Sequence, residues 1–226
     1  MFEKLFSYHQ IEDLRRENIL SRIAHSHHAR RSEFKIGVID DRPFPYEQNL
    51  KANGYVIETL GDIRSIAEVK PYNIILCDLQ GVGQYLNERG QGAYIIDEIK
   101  RNNPEKFVIA YTGGAADDAV TIKAQEVADF FLKKDQEIEE WRDRLDSIID
   151  ELKDPIQVWH RQRDALIGAD VPTLDILKLE DAYVRSIRAG NPSAYKQIAS
   201  SPSVSSDLRA IAQSLIASGI FKVFFG

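Results

Sequence analysis

Tyr72-Asn73-Ile74-Ile75-Leu76-Cys77-Asp78 is an apolar run that ends in a carboxylate and is followed by Leu79, Gln80, Gly81 and Gly83. A run of this kind reads as a strand buried on both faces of a parallel sheet. Its terminal Asp78 then lies at the carboxyl rim of an open α/β sheet, where such folds bind their ligands. Two further runs end alike: Phe34-Lys35-Ile36-Gly37-Val38-Ile39 in Asp40-Asp41, and Phe107-Val108-Ile109-Ala110-Tyr111 in Thr112-Gly113-Gly114. A fourth, Asp129-Phe130-Phe131-Leu132, ends in Lys133-Lys134. Three carboxylates, a hydroxyl and an ammonium are therefore expected on one edge of one sheet.

Between these runs the pattern alternates strand and helix. Pro43 and Pro45 delay a helix that starts near Tyr46 and ends before Gly54. Tyr55–Leu60 is a second strand, and Ile63–Val69 a short helix closed by Pro71. A helix over Gly92–Arg101 places Ile95, Ile96 and Ile99 on one face, and another runs near Asp117–Val127. From Ile138 a long helix carries Ile138, Trp141, Leu145, Ile148 and Leu152 on its inner stripe until Pro155. Five strands alternating with five helices predict a doubly wound α/β domain with a five-stranded parallel sheet over residues 34–153.

Composition narrows the function. The chain has 226 residues, 43% of them hydrophobic, and a formal net charge of −6. Residues 34–154 hold 15 Lys and Arg against 24 Asp and Glu. So acidic a middle argues against a nucleic-acid surface there. The single cysteine, Cys77, excludes an internal disulfide and fits a reducing compartment. It sits on the opposite strand face from Asp78 and reads as a buried core thiol. No run approaches the roughly 20 apolar residues that span a bilayer, and no secretory signal is evident. A cytoplasmic protein is expected.

Asp40-Asp41, Asp78, Thr112 and Lys133, each at the end of a predicted strand, give the chain its resemblance to a response-regulator receiver domain, over about residues 34–152. The resemblance implies the strand order 2-1-3-4-5. It implies phosphoryl acceptance on Asp78, with Asp41, Asp78 and the backbone carbonyl of Gln80 as direct Mg²⁺ ligands and Asp40 acting through water. It also implies that Lys133 pairs with a phosphoryl oxygen, that Thr112 hydrogen-bonds another, and that Phe130, three residues before the lysine, changes rotamer on activation. The chemistry needs these types: an aspartate attacks phosphorus well only when charge on the phosphoryl group is neutralised, by a hard cation on carboxylates and by an ammonium. The donor would be a histidine kinase, a phosphotransfer protein or a small phosphodonor.

Four departures stand out. The Gln80–Gly92 segment is longer than the usual loop, is glycine-rich and lacks its proline, which suits a lid or altered access to Asp78. Gly113 and Gly114 follow the threonine where a small and then a bulkier polar residue are common. Lys134 replaces the usual proline after the lysine, which leaves open whether Lys133 or Lys134 enters the site. The first helix of the domain is shortened by its prolines. Gly81-x-Gly83 does not complete a dinucleotide fingerprint.

Two flanking segments remain. Residues 1–33 show helical spacing at Phe2, Leu5, Phe6, Ile11, Leu14, Ile19, Leu20 and Ile23, and read as helices packed on this chain rather than a membrane anchor, since both charge signs share the polar face. His25, His27 and His28 lack ligand spacing and read as a basic turn. Residues 154–226 predict helices over Ile156–Ile167, Pro172–Ala189, Ala194–Ser200 and Ser206–Ser218, then an apolar tail, Gly219–Gly226. With 8 basic and 6 acidic residues over 155–226 and no clustered basic helix, this segment reads as a protein-binding output, with DNA binding as the alternative. It carries no recognised catalytic motif, so the chain is expected to be a signalling protein rather than an enzyme. The helix from Ile138 suits either a homodimer or packing on the N-terminal helix. A receiver-like scaffold that never carries phosphate is the other reading of the whole.

Overall fold

The computed structural model describes residues 8–17, 31–114, 118–218 and 220–225. The histidines His25, His27 and His28, and most of the N-terminal apolar spacing, lie outside these residues. The chain divides into two compact units, Ala29–Asp150 and a second formed by Met1–His28 with Glu151–Gly226. The three expected segments thus group into two, the N-terminal one with the C-terminal helices.

Ala29–Asp150 is built on five parallel strands: β1 (Lys35–Ile39), β2 (Val56–Thr59), β3 (Ile74–Asp78), β4 (Phe107–Thr112) and β5 (Phe130–Lys133). Their order is β2-β1-β3-β4-β5, the doubly wound arrangement expected. β3 and β4 are buried at every residue, which their unbroken apolar runs require. Ile39 pairs with Cys77 and Asp78 with Tyr111, so the carboxyl ends of β1, β3 and β4 are level.

The connections are α2 (Glu47–Ala52), a 3-10 turn (Ile66–Val69), α3 (Gln91–Asn102) and α4 (Ala119–Val127), and α5 (Ile138–Lys153) follows β5. The 3-10 turn opens with a complete capping box of Ser65 and Glu68, and α4 with the Asp118 side chain accepting from Thr121 N–H at 2.8 Å. One sheet face packs Ile39, Ile75, Cys77, Val108 and Ala110 against Ile95, Ile96 and Ile99 of α3. On the other face, the Tyr111 ring meets Trp141 of α5. Arg31 fixes the entry to the unit: its guanidinium donates to Asp146 of α5 at 2.8 and 2.5 Å, and the Tyr55 hydroxyl reaches the same carboxylate at 2.7 Å.

The second unit is helical. It contains α1 (Glu12–Arg16), α6 (Pro155–Gly168), α7 (Thr173–Ala189), α8 (Ser193–Ala199), α9 (Ser206–Ala217) and α10 (Ile220–Phe225). The apolar tail is thus a helix. Trp159, Tyr183, Tyr195 and Phe221 form its aromatic spine, with ring centroids 5.0–5.7 Å apart. The buried Gln162 is satisfied on both sides, by the Tyr195 hydroxyl at 2.7 Å and the Ile211 carbonyl at 3.3 Å. α1 is pinned to α7, where Ile11 N–H donates to Glu180 at 2.7 Å and His9 meets Asp181. Among the described residues no helix is long and apolar enough to cross a membrane.

Candidate functional site

The level strand ends bring Asp40, Asp41 and Asp78 together, with carboxylate oxygens within 4.8 Å of one another. Asp40 is the most deeply placed, 1% exposed. Its Oδ2 accepts from Lys134 Nζ at 2.9 Å and from the Tyr111 hydroxyl at 2.7 Å, and its Oδ1 from Arg42 N–H at 2.9 Å. Asp78 is buried as well; Oδ2 accepts from Lys134 Nζ at 2.8 Å and Oδ1 from Gln80 N–H at 3.3 Å. Asp41 alone faces solvent. With Arg42, Gln80, Gly81, Gly113 and Lys134 it lines a cleft of about 280 Å³ over Asp78.

The lysine of the site is Lys134, and the expectation for Lys133 is corrected. Strand parity is the cause. Tyr111 pairs with Leu132 and Thr112 with Lys133, so Leu132 and Lys134 share the sheet face of Tyr111 while Lys133 takes the other and is exposed. The same one-residue shift moves the aromatic three positions upstream from Phe130 to Phe131. Phe130 stacks on Phe107 at 6.5 Å under the Arg144 guanidinium, whereas Phe131 packs against the apolar cluster of the α3 and α4 face.

Thr112 ends β4, buried, and its Oγ1 accepts from Gly114 N–H at 3.0 Å; Gly113 rather than Thr112 lines the cleft. Gln80 lines it too, its side chain lying against Gly114.

Burial is the leading influence on the Asp78 carboxyl and raises its pKa, against the pull of the Lys134 hydrogen bond. Burial alone would lower the Lys134 ammonium, but hydrogen bonds to Asp78 and Asp40 outweigh it and the pKa is raised. Burial also pushes the Cys77 thiol up, as an inert core cysteine requires.

The segment after Asp78 is clipped in place. Asp62 accepts from Gly83 N–H at 2.6 Å and from Gln84 N–H at 3.1 Å. Val82 is buried beneath, and the exposed Tyr85 lies under the Arg64 guanidinium at 4.7 Å. Two glycines allow this path. At Gly81, φ is +79° and a Cβ would stand 2.6 Å from the Asp41 carboxyl carbon; at Gly92 a Cβ would stand 2.1 Å from the Asp78 carbonyl oxygen. Gly81→Ala is therefore expected to cost about 1–2 kcal/mol through its left-handed backbone and to displace Asp41. Calorimetric titration with Mg²⁺ should register weaker binding.

Sequence reasoning did not single out Tyr111, Arg42 or Asp62. Tyr111 carried a signal: a phenol hydroxyl within a buried apolar run must find a partner. Nothing local marks Asp62, whose partners lie more than 20 residues on.

No protein-family model matches this chain, and no curated protein matches it. Similar solved structures include the BeF3-activated DrrB receiver domain, at 21% identity and a TM-score of 0.41 over 52% of this chain and 97% of that one. The beryllofluoride-activated NtrC4 receiver domain dimer is 25% identical with a TM-score of 0.40, over 52% and 97%. RcsB from Salmonella enterica serovar Typhimurium, bound to promoter rprA, is 13% identical with a TM-score of 0.39, over 75% and 99%. By its strand order β2-β1-β3-β4-β5, with the acid cluster at the carboxyl edge of that sheet, the Ala29–Asp150 unit has the fold of a response-regulator receiver, and the rest of the chain is helical.

Proposed function

We propose that this protein is a response regulator that accepts a phosphoryl group on Asp78 and passes the change to a protein-binding helical unit. The observation that carries this is the cluster of Asp40, Asp41 and Asp78 oxygens within 4.8 Å, with the Lys134 ammonium hydrogen-bonded to both buried members. An all-oxygen set of three carboxylates suits a hard divalent cation such as Mg²⁺. Asp41 and Asp78 would hold it directly with the Gln80 carbonyl, and Asp40 through water. The cation would supply charge neutralisation for an incoming phosphoryl group.

The chain's own residues do the rest. An Asp78 carboxylate oxygen forms the bond to phosphorus as the donor's bond to the same phosphorus breaks, and the leaving group takes the electron pair. Lys134 offsets negative charge on the phosphoryl oxygens. The Thr112 hydroxyl is the nearby donor that can turn from the Gly113–Gly114 turn toward the cleft. A histidine kinase, a phosphotransfer protein or a small phosphodonor would supply the group.

Intact mass after incubation with acetyl phosphate and Mg²⁺ tests the reading. One added phosphate in the unsubstituted chain, and none in Asp78→Asn, is the expected result. No adduct together with no Mg²⁺ binding would replace it with the scaffold reading. Salt-dependent binding of DNA by the full chain would replace the protein-binding output.

A pH dependence follows. The raised Asp78 pKa means that a proton competes for this carboxylate at a higher pH than the ordinary 3.8. Mg²⁺ affinity should therefore weaken on acidification sooner than ordinary carboxylates would allow, and isothermal titrations across a pH series measure it. The stability term has the opposite sign. The folded state holds this proton more tightly than the unfolded one, so this group's cost to folding is full above its folded pKa and is relieved below it.

A further inference from the structure

Tyr111 ends in the site but does not line it. Its ring is fully buried, and its hydroxyl donates to Asp40 Oδ2, the same oxygen that Lys134 reaches at 2.9 Å. The ring is wedged between two others: Trp141 stands edge-on at 5.5 Å and 81°, and Phe44 lies at 5.6 Å. Phe44 and Trp141 in turn meet at 5.1 Å, nearly perpendicular. Phe44 belongs to the loop that leaves Asp41 and Arg42, and Trp141 to the first turn of α5. One phenol therefore joins a carboxylate of the acid cluster, the loop that carries Asp41, and the helix by which the chain leaves this unit.

A buried tyrosine whose hydroxyl is merely satisfied would serve with any acceptor. Here the acceptor is a member of the acid cluster, and it shares its Oδ2 with Lys134, which also bonds Asp78. Loading the cluster would redistribute the donors on Asp40 Oδ2, because Lys134 bonds both Asp40 and Asp78. The phenol can follow its acceptor only by tilting, and a tilt presses on the Trp141 indole and the Phe44 ring. Close-packed interiors pass on such displacements rather than absorb them.

We propose that Tyr111 is a coupling residue, which converts occupation of the Asp40, Asp41 and Asp78 cluster into a repacking of Trp141 on α5. The inference rests on the phosphoryl-acceptor reading, and the experiment separates the two. The full chain, labelled with ¹⁵N-tryptophan, gives two indole N–H signals, since it has two tryptophans; Trp159→Phe identifies that of Trp141. The probe is Mg²⁺ with beryllofluoride, and the ¹⁹F signal of the bound complex reports occupancy independently.

The expected result is a shift of the Trp141 indole signal on saturation, with most of that shift lost in Tyr111→Phe, which keeps the ring and removes the hydroxyl. Bound beryllofluoride with a stationary Trp141 would overturn the coupling and leave the acceptor reading intact. An undiminished shift in Tyr111→Phe would overturn it too. So would a Tyr111→Phe chain that no longer binds beryllofluoride, which would make the hydroxyl part of the binding site. Absence of any bound complex in the unsubstituted chain would sink the acceptor reading and the coupling with it.

Discussion

Lys134→Ala is expected to slow phosphoryl transfer to Asp78 by about 10²–10³-fold, the loss typical when one preorganised charge-stabilising donor is removed. Lys133→Ala should match the unsubstituted protein. Lys134 is the one described cation that bonds both Asp40 and Asp78, which are 0% and 7% exposed at the side chain. Its removal leaves two adjacent buried carboxylates facing each other. Breaking a buried pair costs about 3–5 kcal/mol; with the lysine one quarter exposed, the lower end applies. Mg²⁺ can replace the missing positive charge, so the variant should gain more stability from added Mg²⁺ than the unsubstituted chain does. Acetyl phosphate kinetics by mass spectrometry and urea melts with and without Mg²⁺ measure the two effects. A merely structural lysine would lower stability without the Mg²⁺ rescue.

Gly92→Ala has the second large effect, and its sign runs against helix propensity. Gly92 is the second residue of α3, where alanine should help by roughly 1 kcal/mol. The added Cβ would, however, stand 2.1 Å from the Asp78 carbonyl oxygen and 2.8 Å from the Leu79 Cα. Both are backbone atoms of the strand end that carries the site, so no rotamer change relieves the contact. Overpacking costs typically about 1–3 kcal/mol, occasionally more, and here it exceeds the propensity gain. A lower urea midpoint and weakened Mg²⁺ binding are expected together. Gly168→Ala is the control: nothing lies within 4 Å of its Cβ position, and it should be neutral or slightly stabilising. A Gly92→Ala chain that melts like the control would contradict the packing described.

The sheet was legible because its signals are local. Apolar runs, punctuating glycines and prolines, and carboxylates at run ends located all five strands to within a residue or two; their alternation with helices gave the parallel pairing, and the receiver resemblance implied the order. The Lys133 and Lys134 choice was not legible. Two adjacent lysines differ only in which face of β5 they take, and that depends on the register with β4, which no residue of β5 announces. The clip of Asp62 on Gly83 and Gln84, and the wedge of Tyr111 against Trp141, depend on residues brought together by the fold rather than by sequence. The helices from Pro155 onward were found by spacing, while the helical state of Ile220–Phe225 was hidden in a short run whose one polar residue, Lys222, sets no period.

The helical unit is assembled from both ends of the sequence, with Ile11 bonded to Glu180 and His9 to Asp181. The receiver-fold unit is therefore an insertion, entered and left through the same host. Such a host cannot close its own core during synthesis until the last helices have been made, while the inserted unit already has all its strands and can fold first. A single cut at either junction would not free the inserted unit, since its other end remains joined to the host. Separating the two units of this chain would take two cuts.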